Sequence, residues 1–233
     1  MQSNWEIANF TPNASRIINR MHGLTPGLYV VTEDQQLGFE QLLIKTEIIL
    51  ECGISALQYR RKNAPYKQKI IEASALKRLC SDNKTKFIIN DDIKLAMEID
   101  SDGVHLGEDD ISCQQARTML GEDKIIGVSC YNDLVRAKQA FQASADYLAF
   151  GAMYATTTKQ ETKKASPELL VTAKQQYNVP LVAIGGITPE NCQPLLEAGA
   201  DLLAVVSCVY HTDFPDKIIT EFNKQIRNHH ELI

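Results

Sequence analysis

Eight short apolar runs alternate with longer amphipathic segments from Leu28 to Ser207, and no other feature of the chain restricts its fold so strongly. The runs are LYVVT (28–32), ALQYR (56–60), KFIIND (86–91), GVHLG (103–107), IIGVSC (125–130), YLAFGAM (147–153), PLVAIGGI (180–187) and LLAVVS (202–207). Between them lie segments such as FEQLLIKTEIILEC (39–52), whose apolar positions recur at helical spacing. Pro167 after Ser166 and Pro189 after Thr188 each predict a helix start, and Gly199 after LLEA predicts a stop. Strand and helix in strict alternation predict a parallel sheet with right-handed crossovers. Eight such units in a chain of 233 residues fit a closed (β/α)8 barrel near the lower end of its size range. An open doubly wound sheet would want a G-x-G-x-x-G loop after its first strand, and TEDQQLG after Val31 is no such loop. The expected fold is therefore α/β, a TIM barrel forming one domain over 26–233, with 1–25 as a short N-terminal extension of no assigned role.

Composition narrows the partners. A net charge of −5 and a pI near 5.6 argue against general affinity for nucleic acid, so any anionic ligand must meet a local basic pocket. No apolar run is long enough to span a bilayer, and the first two dozen residues lack the continuous apolar segment of a signal peptide. Cysteines 52, 80, 113, 130, 192 and 208 are scattered without metal-finger spacing and read as reduced thiols of a cytoplasmic protein. The expected partners are small-molecule substrates and at most further copies of the chain, as a homo-oligomer; neither nucleic acid nor membrane is expected.

Active sites of (β/α)8 barrels sit at the C-terminal ends of the strands, and the polar residues of this chain gather there. Run 2 ends in Gln58, Arg60 and Lys62, run 3 in Asn90, Asp91 and Asp92, and run 4 is followed by Glu108, Asp109 and Asp110. Run 5 carries Ser129, run 6 leads into ATTTK (155–159), run 7 reaches Gly185-Gly186, and run 8 ends at Ser207. Each cluster has an ordinary reading. Asp91 and Asp92, or Asp109 and Asp110, would cap helices; Thr156 to Lys159 would be a solvated loop, the glycine pair a tight turn, and His105 a packed histidine. Together they say more. Two acidic groups after neighbouring strands, beside Arg60 and Lys62, suit Mg²⁺ with a polyphosphate. Strand alternation turns Arg60 inward to meet it and Arg61 away. A second anion site is expected after strands 7 and 8, where Gly186 lets the backbone approach closely and Ser207 offers a hydroxyl. One pyrophosphate pocket and one monophosphate pocket suggest a transferase joining two phosphorylated substrates.

The segments QYRRK (58–62), IINDD (88–92), GVHLGEDD (103–110), GVSC (127–130), TTTK (156–159), AIGGIT (183–188) and AVVS (204–207) resemble, in order and spacing, the motifs of the thiamine-phosphate synthase family. The resemblance covers roughly Leu28 to Phe222, and seven motifs in register are highly specific. It implies condensation of 4-amino-5-hydroxymethyl-2-methylpyrimidine diphosphate with a thiazole ethyl phosphate, or its carboxylated form, giving thiamine phosphate and diphosphate. It further implies that Gln58, Tyr59, Arg60, Arg61, Lys62 and Asn90 form the segment holding the pyrimidine diphosphate, with Ser129 and Lys159 as further contacts. Asp91 and Asp110 correspond to ligands of the Mg²⁺ cofactor, which leaves Asp92 and Asp109 to cap helices or stand behind the ligands. Thr156, Thr157, Thr158, Gly186, Val206 and Ser207 correspond to the thiazole-phosphate site.

The mechanism implied is dissociative. Diphosphate leaves, a pyrimidinylmethyl cation forms, and the thiazole nitrogen captures it, while Arg60, Lys62, Ser129 and Lys159 serve as the catalytic contacts. Two departures stand out: Ala155 occupies a position where the family usually has Pro, and residues 1–25 extend beyond the usual start. A thiazole tautomerase-like or regulatory relative of the same fold is the main alternative, and the intact QYRRK, Asp91, Asp110 and Lys159 argue against it. A pure binding module would have little use for two carboxylates aimed at a metal. A phosphate-handling isomerase of the same fold would not need the NDD and EDD pair.

Overall fold

The computed structural model describes residues 24–32, 37–155 and 164–231. Thr156, Thr157, Thr158 and Lys159 lie outside the described residues, as does the N-terminal extension up to residue 23.

Each of the eight runs forms a strand: β1 (Gly27–Val31), β2 (Ala56–Tyr59), β3 (Lys86–Asn90), β4 (Gly103–Leu106), β5 (Ile125–Tyr131), β6 (Tyr147–Phe150), β7 (Leu181–Ile184) and β8 (Leu202–Val205). They pair in parallel and in chain order. The sheet closes where β1 meets β8, with Gly27 opposite Leu202 and Val30 opposite Val205. The described helices are α1 (Phe39–Glu51), α2 (Tyr66–Asp82), α3 (Ile93–Glu98), α4 (Cys113–Leu120), α5 (Leu134–Gln142), α6 (Pro167–Gln176), α7 (Gln193–Glu197), α8 (Ser207–Tyr210) and α9 (Pro215–Glu231). This is the (β/α)8 barrel that the alternation predicts. No helix among the described residues is long and apolar enough to cross a membrane.

Strand alternation sorts the side chains into two buried sets. Tyr29, Val31, Ala56, Ile88, Ile125, Tyr147, Val182 and Leu202 fill the barrel interior. Leu28, Val30, Leu57, Phe87, Ile89, Val104, Leu148 and Leu203 face the helices. Both faces are covered, which is why the strands read as nearly continuous apolar runs. Each fully buried Leu, Ile or Phe contributes roughly 2 kcal/mol against leaving it in water. The helices answer with matching stripes, as in α1, where Leu42, Thr46, Ile49 and Leu50 form one buried face at helical spacing.

Helix ends follow local chemistry. Ser112 and Gln115 close a capping box at α4, and Asp133 accepts the Val135 and Arg136 N–H groups at α5. Gly199, at φ +97°, follows the end of α7 as expected. Pro189 does not open a helix. There the Asn191 side chain accepts the Thr188 N–H at 2.8 Å and closes a turn, so α7 begins at Gln193. Leu24 is 2% exposed and joins the interior cluster, and the Ser55 hydroxyl donates to the Thr25 carbonyl. The last residues of the extension thus pack with the barrel.

Candidate active site

The polar residues at the strand ends separate according to the face they occupy. In β2, Gln58 points inward and its Nε2 donates to the Tyr29 hydroxyl at 2.8 Å. Tyr59 points outward, and its hydroxyl donates to Glu72 of α2 at 2.8 Å. Arg61 follows Tyr59 onto the same carboxylate, with Nε 3.1 Å from Glu72 Oε2 and Nη2 donating to the Leu37 carbonyl at 3.0 Å. The Arg61 side chain is 8% exposed and that of Glu72 is fully buried. Arg61 faces away from the interior, as alternation predicts, yet burial makes it a structural pivot rather than a solvated charge. Tyr59 and Arg61 both border the cavity beside β2 and β3, and both also engage Glu72. Arg60, half-buried, continues the Gln58 face, and its N–H donates to Thr32 Oγ1 at 2.8 Å.

Beyond the strand, Lys62 Nζ lies 2.8 Å from Asp91 Oδ2. Asp91 sits in the left-handed region at φ +63°, a conformation that Asp tolerates better than most residues and that often marks a functional site. Its neighbour Asp92 caps α3 by accepting the Leu95 N–H at 3.0 Å. Asp110 arrives from the loop after β4, where its Oδ2 accepts the Gly107 N–H at 2.6 Å. Asp109 is exposed, and the cap of α4 is Ser112 rather than either aspartate. Asp91 and Asp110 share a hydrogen bond that splits their acidities. Burial opposes ionisation of Asp91, but the hydrogen bonds from Lys62 and Asp110 outweigh it and hold its pKa below the usual carboxylate range. Burial and the neighbouring Asp91 raise the pKa of Asp110, against the pull of the Gly107 N–H. Asn90, Asp91, Lys62 and Lys69 line one cavity of about 260 Å³. Lys69 was not singled out in the sequence because a lysine in the first turn of an amphipathic helix looks like solvated surface.

At the opposite side of the mouth, Gly186 takes φ +64°, and a Cβ there would lie 2.4 Å from the Ala155 carbonyl oxygen. Only glycine fits. The chain that continues into Thr156–Lys159 therefore sets out from directly above β7. Asn191 fixes this turn by donating to the Gly186 carbonyl at 2.9 Å. Val206 and Ser207, both half-buried, lead into the short helix α8. Lys45 of α1 donates to the carbonyls of Tyr210 at 2.7 Å and Thr212 at 2.8 Å, anchoring the far end of that helix.

Between the two sides, His105 proves to be a packed histidine, as its strand position suggests. Its Nε2 lies 2.8 Å from Ser129 Oγ and its Nδ1 2.9 Å from the Tyr147 hydroxyl. Arg136 ties the ends of β4 and β5 together, donating to the carbonyls of Ser129 at 2.6 Å and Gly107 at 2.8 Å. Tyr29, Tyr147, Arg136 and Lys45 escaped the sequence reading. Two tyrosines at inward positions, where an aliphatic layer is usual, were the available signal.

A closed barrel with a lysine and paired carboxylates on one side of its mouth, and a glycine turn beside a short helix on the other, has the layout expected of a phosphate-handling barrel enzyme. The model of the thiamine monophosphate synthase family matches residues 28–209, and the chain belongs to that family. It is 46% identical over 184 residues to a thiamine-phosphate synthase of Nitrosococcus oceani, covering 79% of this chain and 85% of the relative. It is 40% identical over 212 residues to that of Marinobacter nauticus, covering 90% and 95%. Among solved structures, thiamine phosphate pyrophosphorylase from Pyrococcus furiosus superposes with a TM-score of 0.79 at 29% identity, covering 90% of this chain and 98% of that one.

Proposed function

We propose that in this thiamine-phosphate synthase the Gln58–Asp91–Asp110 side of the mouth holds 4-amino-5-hydroxymethyl-2-methylpyrimidine diphosphate, and the Gly186–Ser207 side holds the thiazole phosphate. The observation that carries the division is the cluster of Lys62, Asp91 and Asp110, with one carboxyl held below the ordinary range and its neighbour raised. Asp110 ionises against the neighbouring Asp91 carboxylate, and a cation between the two would relieve that opposition.

The donor set fits Mg²⁺. Among the described residues no three His, Cys, Asp or Glu side chains gather into a cage. A small hard cation that takes one or two carboxylates and completes its shell with phosphate oxygens and water needs none. Asp91 and Asp110 would hold it, and when bound it would neutralise charge on the leaving diphosphate. Lys62 and Arg60 add fixed positive charge on the same side, and Ser129, with Lys159 of the ATTTK segment, would complete the set around the leaving group. The bond from the pyrimidine methylene to diphosphate oxygen breaks with its electron pair going to oxygen. The thiazole nitrogen then supplies the pair that closes the new C–N bond, so no nucleophilic side chain is required. The barrel interior below the mouth keeps water from the cation. Across from the leaving group, the Gly186 backbone, Thr156, Thr157, Thr158, Val206 and Ser207 orient the thiazole through its phosphate.

All six cysteines are free thiols, which suits a reducing compartment and a cytoplasmic setting. Formation of thiamine phosphate from the two substrates, measured with Mg²⁺ and after its removal by chelation, tests the proposal. Undiminished turnover in chelator would remove the cation from it.

A further inference from the structure

Five side chains beneath the mouth form one hydrogen-bonded chain across the barrel interior. Gln58 Nε2 donates to the Tyr29 hydroxyl at 2.8 Å, and the Tyr29 and Tyr147 hydroxyls are 2.8 Å apart. The Tyr147 hydroxyl lies 2.9 Å from His105 Nδ1, and His105 Nε2 lies 2.8 Å from Ser129 Oγ. The two ends belong to the proposed diphosphate side, whereas Tyr29, Tyr147 and His105 have no part in the mechanism above. Tyr29 is 2% exposed and Tyr147 fully buried. Desolvation pushes both phenol pKa values up, so each keeps its hydrogen.

Counting those hydrogens gives the chain a direction. Each phenol has one hydrogen to donate. Tyr29 accepts from the Gln58 amide nitrogen, so it must donate onward to Tyr147, and Tyr147 in turn to His105 Nδ1. A ring that accepts at Nδ1 carries its hydrogen at Nε2 and donates it to Ser129 Oγ. The Ser129 hydrogen is then turned away from the ring. With the opposite direction the Gln58 amide is flipped, Ser129 donates to the ring, and only its lone pairs would meet an arriving diphosphate. The arrangement is also held rigidly. Gly127 lies opposite Tyr147 in the β5–β6 register, and a Cβ on it would fall 1.9 Å from the tyrosine ring.

We infer that Tyr29, Tyr147 and His105 are positioning residues that fix hydrogen polarity at both ends of the chain. Ser129 is presented as a donor to the leaving diphosphate, and the Gln58 amide keeps its carbonyl oxygen as an acceptor for an N–H of the aminopyrimidine. This rests on the proposal that Ser129 and Gln58 touch the diphosphate substrate.

The histidine tautomer tests it on the unmodified chain, through two-bond ¹H–¹⁵N correlations, with the His105 signals assigned by their loss in His105→Asn. The expected result is a hydrogen on Nε2 and a bare Nδ1; a hydrogen on Nδ1 overturns the inference. Tyr147→Phe removes the phenol that pins Nδ1. It should lower kcat/KM for the pyrimidine diphosphate by about tenfold, leaving the KM for the thiazole phosphate unchanged. A Tyr147→Phe enzyme as efficient as the wild type would also overturn it. Ser129→Ala separates the two layers. A loss confined to the diphosphate substrate keeps Ser129 at the leaving group, so failure of either other test then falls on the polarity alone. No loss refutes the contact and the inference together.

Discussion

Arg60 and Arg61 are adjacent and chemically identical, yet the structure assigns their loss to different measurements. Arg61 and Glu72 form an ion pair at 3.1 Å with side chains 8% and 0% exposed, far from the regime of weak surface pairs. Truncating one partner of a buried pair strands the other charge, at a cost of about 3–5 kcal/mol. Glu72 would retain the Tyr59 hydroxyl at 2.8 Å and Gln68 Nε2 at 2.7 Å, which places Arg61→Ala near the lower end, about 3 kcal/mol. In a domain of this size that lowers Tm by roughly 6–12 °C. Urea unfolding should show a fallen midpoint with an unchanged slope. The double variant Arg61→Met, Glu72→Gln should recover part of the loss, because no uncompensated charge remains. Arg60→Ala, at a half-buried rather than a buried position, should lower the melting temperature less than Arg61→Ala does. Its deficit should appear instead as roughly a tenfold to hundredfold loss of kcat/KM for the diphosphate substrate, from a charge-assisted contact of about 1.5–3 kcal/mol. A stable Arg61→Ala protein with the larger kinetic defect would reverse the assignment and return Arg61 to the substrate.

Asp91→Asn and Asp110→Asn should each lower turnover at least about tenfold at limiting Mg²⁺, with little change in Tm, because each removes an anionic oxygen from the proposed cation site; normal rates in both variants would disprove it. Gly186→Ala should raise the KM for the thiazole phosphate more than that for the diphosphate, since its Cβ would lie 2.4 Å from the Ala155 oxygen at φ +64°. Equal effects on both substrates would count against separate pockets. Lys45→Met releases the carbonyls of Tyr210 and Thr212 at the end of α8, and should raise the KM for the thiazole phosphate roughly threefold to tenfold without affecting the diphosphate. Gly127→Ala should cost about 1–3 kcal/mol in thermal unfolding, because Tyr147 already occupies the space a methyl would need.

The barrel was legible in the sequence because its cause is local and repeated. Each strand buries both faces, so KFII, YLAF and LLAVV read as apolar runs. Each intervening helix shows an apolar stripe, and chain order equals strand order, so no long-range pairing had to be guessed. The clustering of Lys62, Asp91 and Asp110 was legible for a related reason: in this fold, residues just beyond consecutive strands become neighbours at one rim. Other features depend on which side chain occupies a shared space. Nothing local tells Arg61 that Glu72, one element later, will be buried beneath it, and a motif that places Tyr59 and Arg61 in a binding segment does not reveal where their polar atoms go. Pro189 illustrates the same limit at short range, since the Asn191 side chain closes a turn where proline alone predicts a helix.

The polar chain through the core is the clearest case of tertiary decision. Gln58, Tyr29, Tyr147, His105 and Ser129 come from five different strands; Gln58 and Ser129 stand out in the sequence as polar strand-end residues, but nothing there joins them to one another or to the other three. Closure of the barrel brings them within 2.8–2.9 Å of one another, and burial then requires every hydroxyl to find a partner. Periodicity and strand-end chemistry, both written along the chain, set the fold and the rim of the site. The direction in which hydrogens point beneath that rim exists only after closure, because it is a property of the ring of strands and of no single segment.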